Sequence, residues 1–538
     1  MTFIVLGIAY IVVHLGLYKI FEKVDRPAWK ALIPIYSEIE WCKLVGRRPW
    51  HVVLLFIPIV GFFVGAGMLI DLCKTFRRYS FFQHFAAVVF PFFYIPIMGF
   101  DKNLNYMGPA WSIQKDLRKR YKVASKTKDK KALKQLEKEN PFPKKGIVRE
   151  WAESIIFAVF AAHFIRMFLI EAYTIPTESM EGSLLVGDFL FVSKAHYGSR
   201  MPMTPASFPL LHNTLPFIGR ESYSKLLKWD YHRAPAIQHV NRYDPVVFNY
   251  PEGDTVIKGV EYPRDFHNVV RTAEVKYTMG TGTQSPEKTR KTLLRKHKSK
   301  IALRPVDKRD HYIKRCVGIP GDTIEVRNGN LLVNGEAAKM LDGIWYQYKV
   351  FGDISVKALE KKYGKKLSFS KGANNSILIN TNPELATELE QMPQLKLERN
   401  LDFYEERKIF PYDRRYYKWT NDNYGPIVIP KRGDVIQLTA ATYPMYERVI
   451  TAYEGHTLER KGDKFIVDGK ATATYTIEMD YYWMMGDNRN NSADSRAWGF
   501  VPEDHIVGKP LFVWLSLNQG RLGKGIRWGR IFMGASGQ

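Results

Sequence analysis

Four apolar runs within the first 170 residues constrain this chain most: Phe3–Ile20, Val52–Ile70, Phe81 or Phe85 to Phe100, and Ile155–Ile170. A helix of roughly 20 apolar residues matches the hydrocarbon thickness of a bilayer. The first run has no basic stretch before it and no Ala-x-Ala-like site after it, so it reads as a retained membrane span rather than a cleaved signal. The second reads as a further span. The third is shorter and interrupted by prolines that a membrane helix tolerates, with a buried core helix as its alternative. The fourth carries His163 and Arg166, which must snorkel, face another helix or mark the interface.

Between the third and fourth runs lies a strongly basic stretch, Lys115 through Lys145. The excess of Lys and Arg places it in the cytoplasm, so the fourth run carries the chain outward and everything after Tyr173 lies on the outer face. Counting back puts Lys19 to Arg48 inside, in agreement, but Lys74, Arg77 and Arg78 outside, against it. The net charge of +25 is assigned to anionic lipid. Nucleic acid is the weaker reading, since it calls for aromatic-interleaved basic patches in the later part of the chain, whereas the densest basic run is this stretch. Cys42, Cys73 and Cys316 lie far apart and suggest neither a disulfide framework nor a Cys-based metal site.

From Tyr173 onward the pattern changes to short β-branched and aromatic runs, among them 188–192, 245–248, 324–326 and 331–333, punctuated by Gly-Asp and Asn-Gly pairs. This spacing predicts an all-β, partly closed fold of antiparallel strands. Two polar interruptions, 252–304 and 343–424, sit between those runs and read as insertions; the second contains a helix-like stretch at 383–390. At 538 residues the chain is long enough for several cores.

Two stretches carry the chemistry: Ile175-Pro-Thr-Glu-Ser-Met180 and Tyr312-Ile-Lys-Arg-Cys-Val-Gly-Ile-Pro-Gly-Asp322. A serine hydroxyl is a poor nucleophile at neutral pH, and a lysine can act as its base once burial lowers the amine's pKa. Ser-x-x-Lys also occurs at Ser112–Lys115 and Ser368–Lys371, with neither Ser-Asp-Asn nor Lys-Thr-Gly to complete a penicillin-binding set. No His-Glu-x-x-His is present, so a zinc protease is disfavoured, and no cofactor or metal is implied.

These stretches, with Asp244–Phe248 and the long block Gly486-Asp-Asn-Arg-Asn-Asn-Ser-Ala-Asp-Ser-Arg-Ala-Trp-Gly-Phe-Val-Pro502, resemble the bacterial type I signal peptidases, the serine-lysine dyad family, from about Glu150 to Trp514. The resemblance implies Ser179 as nucleophile, Lys314 as general base, Thr177 as a hydroxyl joining the Ser179 N–H at the oxyanion, and Ser492 hydrogen-bonding and orienting the Lys314 amine. Asp494 and Arg496 would pair as structural support. Ile175, Met180, Leu184, Leu190, Val247 and Ile313 would line shallow apolar pockets for the small residues before a signal-peptide cleavage site. On residue pattern alone, Thr177 is equally a turn cap, Lys314 a solvated strand lysine, His311 the better base if the lysine match is set aside, the charged residues of 487–496 a solvated loop, and the pocket residues plain β-core. The family often has a small residue where this chain has Glu178 and commonly a proline where it has Gly182.

The expected organisation is a mainly β catalytic domain, antiparallel and partly closed, with insertions, preceded by α-helical transmembrane segments. Residues 1–114 form a membrane region of about three helices, 115–149 a basic cytoplasmic linker, and 150–172 a transmembrane helix leading to the catalytic domain. Residues 173–342 and 425–520 form the β-rich core, 343–424 an insertion and 521–538 a basic C-terminal tail. The implied partners are signal-peptide-bearing preproteins and the lipid bilayer, at a bacterial cytoplasmic membrane with the catalytic domain outside. The alternative is a catalytically silent, membrane-tethered β-domain that binds exported chains or an envelope partner.

Overall fold

The computed structural model describes residues 2–56, 58–143, 146–258, 265–278, 286–298, 300–352, 355–372, 376–401 and 409–535. The chain divides into two compact units, Met1–Ser154 and Ile155–Gln538. The division falls inside the helix Ile147–Phe168, not at the edge of a linker.

In the first unit, Thr2–Lys23 is one helix that packs closely on Pro91–Phe100, where a Cβ on Gly99 would lie 2.5 Å from the Gly16 carbonyl oxygen. Small residues let helix backbones approach in this way. The expected second span is two helices, His51–Leu55 and Pro58–Thr75. Pro58, which has no backbone N–H to donate, opens the second of them, the first helical position being where proline is tolerated. The third run is likewise bent by 117° between Phe81–Val89 and Pro91–Phe100. Among the described residues, Ile147–Phe168 is the one unbroken helix long and apolar enough to cross a membrane.

The stretch expected as a linker is helical, Ala110–Lys126 and Lys130–Glu139, the second started by Asp129, whose carboxylate accepts from the Lys131 and Ala132 N–H groups. Asp at this position satisfies donors that the first turn leaves open. Lys144 and Lys145, at the end of the basic stretch, lie outside the described residues.

The second unit is built mainly of antiparallel sheets. Its principal sheet runs in the order Ile170–Thr174, Asp188–Ser193, Ile506–Ser516, Pro245–Asn249, His311–Gly318, Tyr481–Met485, Val501–Pro502, every pair antiparallel. The strand Pro245–Asn249 is buried throughout, which explains its unbroken apolar pattern. A second sheet joins Tyr424–Val428, Thr323–Arg327, Asn330–Val333 and Glu336–Ala337. Its turns are the pairs Asn328-Gly329 (φ 48° and 74°) and Asn334-Gly335 (φ 55° and 83°). Positive φ at both positions is the turn that matches strand twist, and Asn-Gly adopts it most easily. Trp483, Phe410, Phe500 and Tyr424 centre the core beside this sheet.

The interruption at 343–424 contains a folded unit of its own. Tyr346–Phe351, helix Val356–Tyr363, Leu367–Lys371, Ile377–Thr381, helix Pro383–Glu390 and Lys396–Arg399 follow a β-α-β-β-α-β order. The strands pair antiparallel with Tyr346–Phe351 and Ile377–Thr381 at the centre, a split β-α-β arrangement over a core that includes Leu359, Ile379, Leu385 and Leu389. The 521–538 segment is not a loose tail over its described part: Ala535 is fully buried beside Ile175 and Met180, and Arg527 and Arg530 both bond the buried carboxylate of Asp188.

Candidate active site

Ser179 sits in a single tight turn, Glu178–Met180, at the tip of the loop joining Ile170–Thr174 to Asp188–Ser193. Backbone bonds in both directions close the neck of that loop: Ile175 N–H donates to Asp188 O (2.9 Å) and Gly187 N–H to Ile175 O (2.9 Å). Asp188 then accepts from Leu185 N–H (2.9 Å), Ser516 Oγ (2.6 Å) and Arg530 Nη2 (2.6 Å). The C-terminal segment thus anchors the base of the serine loop.

Lys314 lies on the strand His311–Gly318, paired with Val246 of the neighbouring strand. Its amine donates to Ser179 Oγ at 2.7 Å and to the Ile313 carbonyl at 3.0 Å. The side chain is 3% exposed. Tyr312 stacks on Tyr250 (4.6 Å between ring centres), Trp498 closes edge-on at 5.7 Å from Tyr312, and the amine lies 5.5 Å from the Tyr312 ring. Burial penalises the charged amine and lowers its pKa from 10.5 to about 8, against the opposing pull of the Asp494 and Asp487 carboxylates. His311, three residues earlier, packs against Tyr173 and His212 at the border of the same cleft, makes no hydrogen bond to Ser179, and is held neutral by burial.

Thr177 Oγ1 is 3.5 Å from Ser179 Oγ and makes no capping bond to the turn that follows, so the hydroxyl faces the Ser179 hydroxyl rather than the backbone. Ser492 departs from expectation. Its hydroxyl is buried and has no hydrogen-bond partner among the described residues, while the Lys314 amine is held by Ser179 and the Ile313 carbonyl. The contact Ser492 does make is steric: a Cβ on Gly486 would fall 2.1 Å from Ser492 Oγ and 2.5 Å from the Ser179 carbonyl oxygen.

The loop that carries Ser492 is a buried polar network rather than a solvated turn. Asp494 accepts from Arg496 Nε (2.9 Å) and Nη2 (2.8 Å) and from Gly486 N–H (3.1 Å), and both side chains are buried. Arg315, adjacent to the lysine, forks onto Asp487 at 2.7 and 2.6 Å and also donates to the Tyr243 carbonyl. Asn488 holds the serine turn itself: its N–H donates to Ser179 O (3.2 Å) and its side-chain amide to Glu178 O (3.2 Å). Residue pattern alone assigns no partner to Arg315, Asp487 or Asn488. The signal available was the density of Asp, Asn and Arg in one short block.

Ser179 and Lys314 open into a cleft of about 1330 Å³. Ile175, Met180, Leu190, Val247 and Ile313 line it, and each also packs into the core behind it. Leu184 is the exception: it is 1% exposed, does not reach the cleft, and packs beneath it as core.

Comparison with known proteins follows the same residues. Residues 148–376 and 470–515, half of the chain, match the family model described as signal peptidase, peptidase S26. The chain belongs to the signal peptidase S26 family. It is 30% identical over 392 residues to signal peptidase I of Pseudomonas aeruginosa, covering 71% of this chain and 76% of the relative. It is 26% identical over 373 residues to that of Haemophilus influenzae (68% and 69%) and 25% over 403 residues to that of Buchnera aphidicola (72% and 84%). Residues 29–109 match a separate family of unknown function.

Within the S26 family pattern, the departure at Gly182 has a structural cause. Gly182 has φ +102°, and a Cβ there would sit 2.2 Å from the Gly343 carbonyl oxygen, just before the strand Tyr346–Phe351. A proline, fixed near −65°, cannot take this conformation. Glu178 accepts from Asn491 Nδ2 (3.2 Å), so the added carboxylate is tied to the Gly486–Pro502 block.

Proposed function

We propose that this chain is a membrane-bound serine endopeptidase that removes N-terminal signal peptides from exported preproteins, with Ser179 as nucleophile and Lys314 as general base. The observation that carries the proposal is the 2.7 Å contact between the Lys314 amine and Ser179 Oγ at a buried site opening into the cleft. Neutral Lys314 takes the Ser179 proton as Oγ attacks the scissile carbonyl. The Ser179 N–H and Thr177 hydroxyl stabilise the oxyanion, each donor worth ~3–4 kcal/mol in the transition state. Protonated Lys314 then gives its proton to the leaving amine, and water activated by the same lysine releases the signal peptide from Ser179.

Ile175, Met180, Leu190, Val247 and Ile313 supply the apolar wall that selects small side chains before the bond cut. Asp494 with Arg496, and Arg315 with Asp487, hold the strand and loop that position the base. The helix Ile147–Phe168, ending two residues before the first strand of the sheet, supports anchoring with the cleft at the outer bilayer surface. The helices before it are assigned as further, partly broken membrane segments.

Two experiments test the proposal. Purified protein in detergent, incubated with a preprotein, should yield one new amino terminus by mass spectrometry, after a small-x-small sequence; no cleavage would overturn the reading. For orientation, single cysteines at Lys130 and Lys371 suit impermeant labelling, because Cys42, Cys73 and Cys316 are all buried. In intact cells only the second should react. The reverse pattern would place the cleft in the cytoplasm.

A further inference from the structure

A second cavity, of about 100 Å³, lies where the helix Ile147–Phe168 ends and the sheet begins. This is well above the ~10–15 Å³ that one water needs. Arg166, Lys194, Arg200 and Lys308 converge on it, opposed by two carboxylates, Glu171 and Asp307. Glu171 is fully engaged, accepting from Arg166 (2.6 Å), Lys194 (2.7 Å) and the Tyr173 hydroxyl (2.6 Å), whereas Asp307 accepts from the Thr204 N–H and hydroxyl through Oδ2 alone and its buried Oδ1 has no hydrogen-bond partner among the described residues. Arg200 is spent on Asn249 Oδ1 (2.8 Å) and a backbone carbonyl. Lys308 is different. It is 7% exposed, and among the described residues its amine has neither a hydrogen bond nor an ion pair, only the Tyr223 ring at 5.5 Å.

The stem of Lys308 is buried while its amine reaches the cavity without a partner among the described residues, a position that an anion in the cavity would complete. Burial, with the neighbouring cations and against the pull of the adjacent Asp307 carboxylate, holds the Lys308 amine below its usual range, and burial does the same for Lys194 against the pull of Glu171. The surplus of positive charge within one small enclosure selects a compact anion with several acceptor oxygens, and Arg and Lys together suit a phosphate.

We propose that this cavity binds a phosphate group, taken up through Lys308 with Arg166, Lys194 and Arg200 around it. On the reading that Ile147–Phe168 crosses the membrane, a phosphodiester of an anionic lipid headgroup reaches the same depth; inorganic phosphate offers the same chemistry from solution. The site is separate from the Ser179 cleft, with His311 in the wall between them.

The full chain is tested with both sources. In detergent, inorganic phosphate is titrated while Tm is followed. In nanodiscs, phosphatidylglycerol is compared with phosphatidylcholine. A Tm rise with phosphatidylglycerol but not with phosphate assigns the lipid; a rise with phosphate in detergent assigns the free anion as sufficient. Lys308→Met removes an unpaired charge, so the variant should fold and be at least as stable as the parent without anion, and its apparent affinity should weaken by on the order of tenfold or more. No stabilisation by either source, or a response unchanged in Lys308→Met, overturns the site. Cleavage of a soluble preprotein in phosphate-free detergent reads the Ser179 assignment independently, since none of these cations touches that dyad.

Discussion

Ser179 and Lys314, 135 residues apart in the chain, meet at 2.7 Å because one occupies the tip of a strand-to-strand loop and the other the middle of a buried strand. A tight turn presents the hydroxyl, and the pairing of Pro245–Asn249 with His311–Gly318 fixes the amine beneath it.

Ser179→Ala and Lys314→Met should each reduce cleavage by on the order of 10⁴-fold or more while leaving the far-UV circular dichroism unchanged. Because the amine must be neutral to accept the serine proton, kcat/KM of the parent should rise with pH through about 8 and level off above it. A profile flat from neutral to alkaline pH would rule out Lys314 as base.

Lys314→Met should also stabilise the protein at neutral pH. The amine titrates near 10.5 when unfolded and about 8 when folded, so between these values the unfolded state binds more protons and stability rises with pH. Below about pH 8 the buried charge costs roughly 3 kcal/mol, which the uncharged methionine avoids. Chemical denaturation should show the variant more stable at pH 7 and the two proteins converging as pH approaches 10.5.

Gly486→Ala should slow cleavage far more than Ser492→Ala. The alanine methyl would press on Ser492 Oγ at 2.1 Å and on the Ser179 carbonyl at 2.5 Å, displacing the nucleophile turn. Ser492→Ala removes a hydroxyl with no partner among the described residues and should cost less than tenfold in kcat/KM, since the net worth of the lost contact is below ~1.4 kcal/mol. Parallel steady-state assays of the two variants decide this ordering.

Arg315→Met and Asp487→Asn should each lower Tm sharply, by a loss of ~3–5 kcal/mol, because either leaves a buried charge without its partner. The double variant should recover part of that loss. Thermal unfolding of all three proteins measures the coupling.

Gly182→Pro, although it restores the residue common in the family, should destabilise this chain by at least ~1–3 kcal/mol, since φ +102° is closed to proline and the Gly343 carbonyl fills the space beside it. Denaturation midpoints give the difference directly.

Local information sufficed for part of the molecule. The Ile175–Met180 and Tyr312–Asp322 stretches carry the family pattern in contiguous residues, and the alternating runs with Asn-Gly turns determine antiparallel strands, because strand period and turn φ are properties of a few neighbouring residues. Apolar length marked most of the helix Ile147–Phe168, although the last residue of the apolar run, Ile170, opens the first strand. Long-range packing decided the rest. The helix boundary at Pro58 and the bend at Phe90 divide runs that hydropathy reads as continuous, and hydropathy does not see helix direction. Whether Leu184 faces the cleft or the core, whether Ser492 reaches the amine, and that Arg315 pairs with Asp487, 172 positions away, depend on contacts between residues far apart in the chain. The split β-α-β order of 346–399 and the clamp of Arg527 and Arg530 on Asp188 belong to the same class: each is set by which surfaces meet after the strands have paired, and no local pattern encodes that meeting.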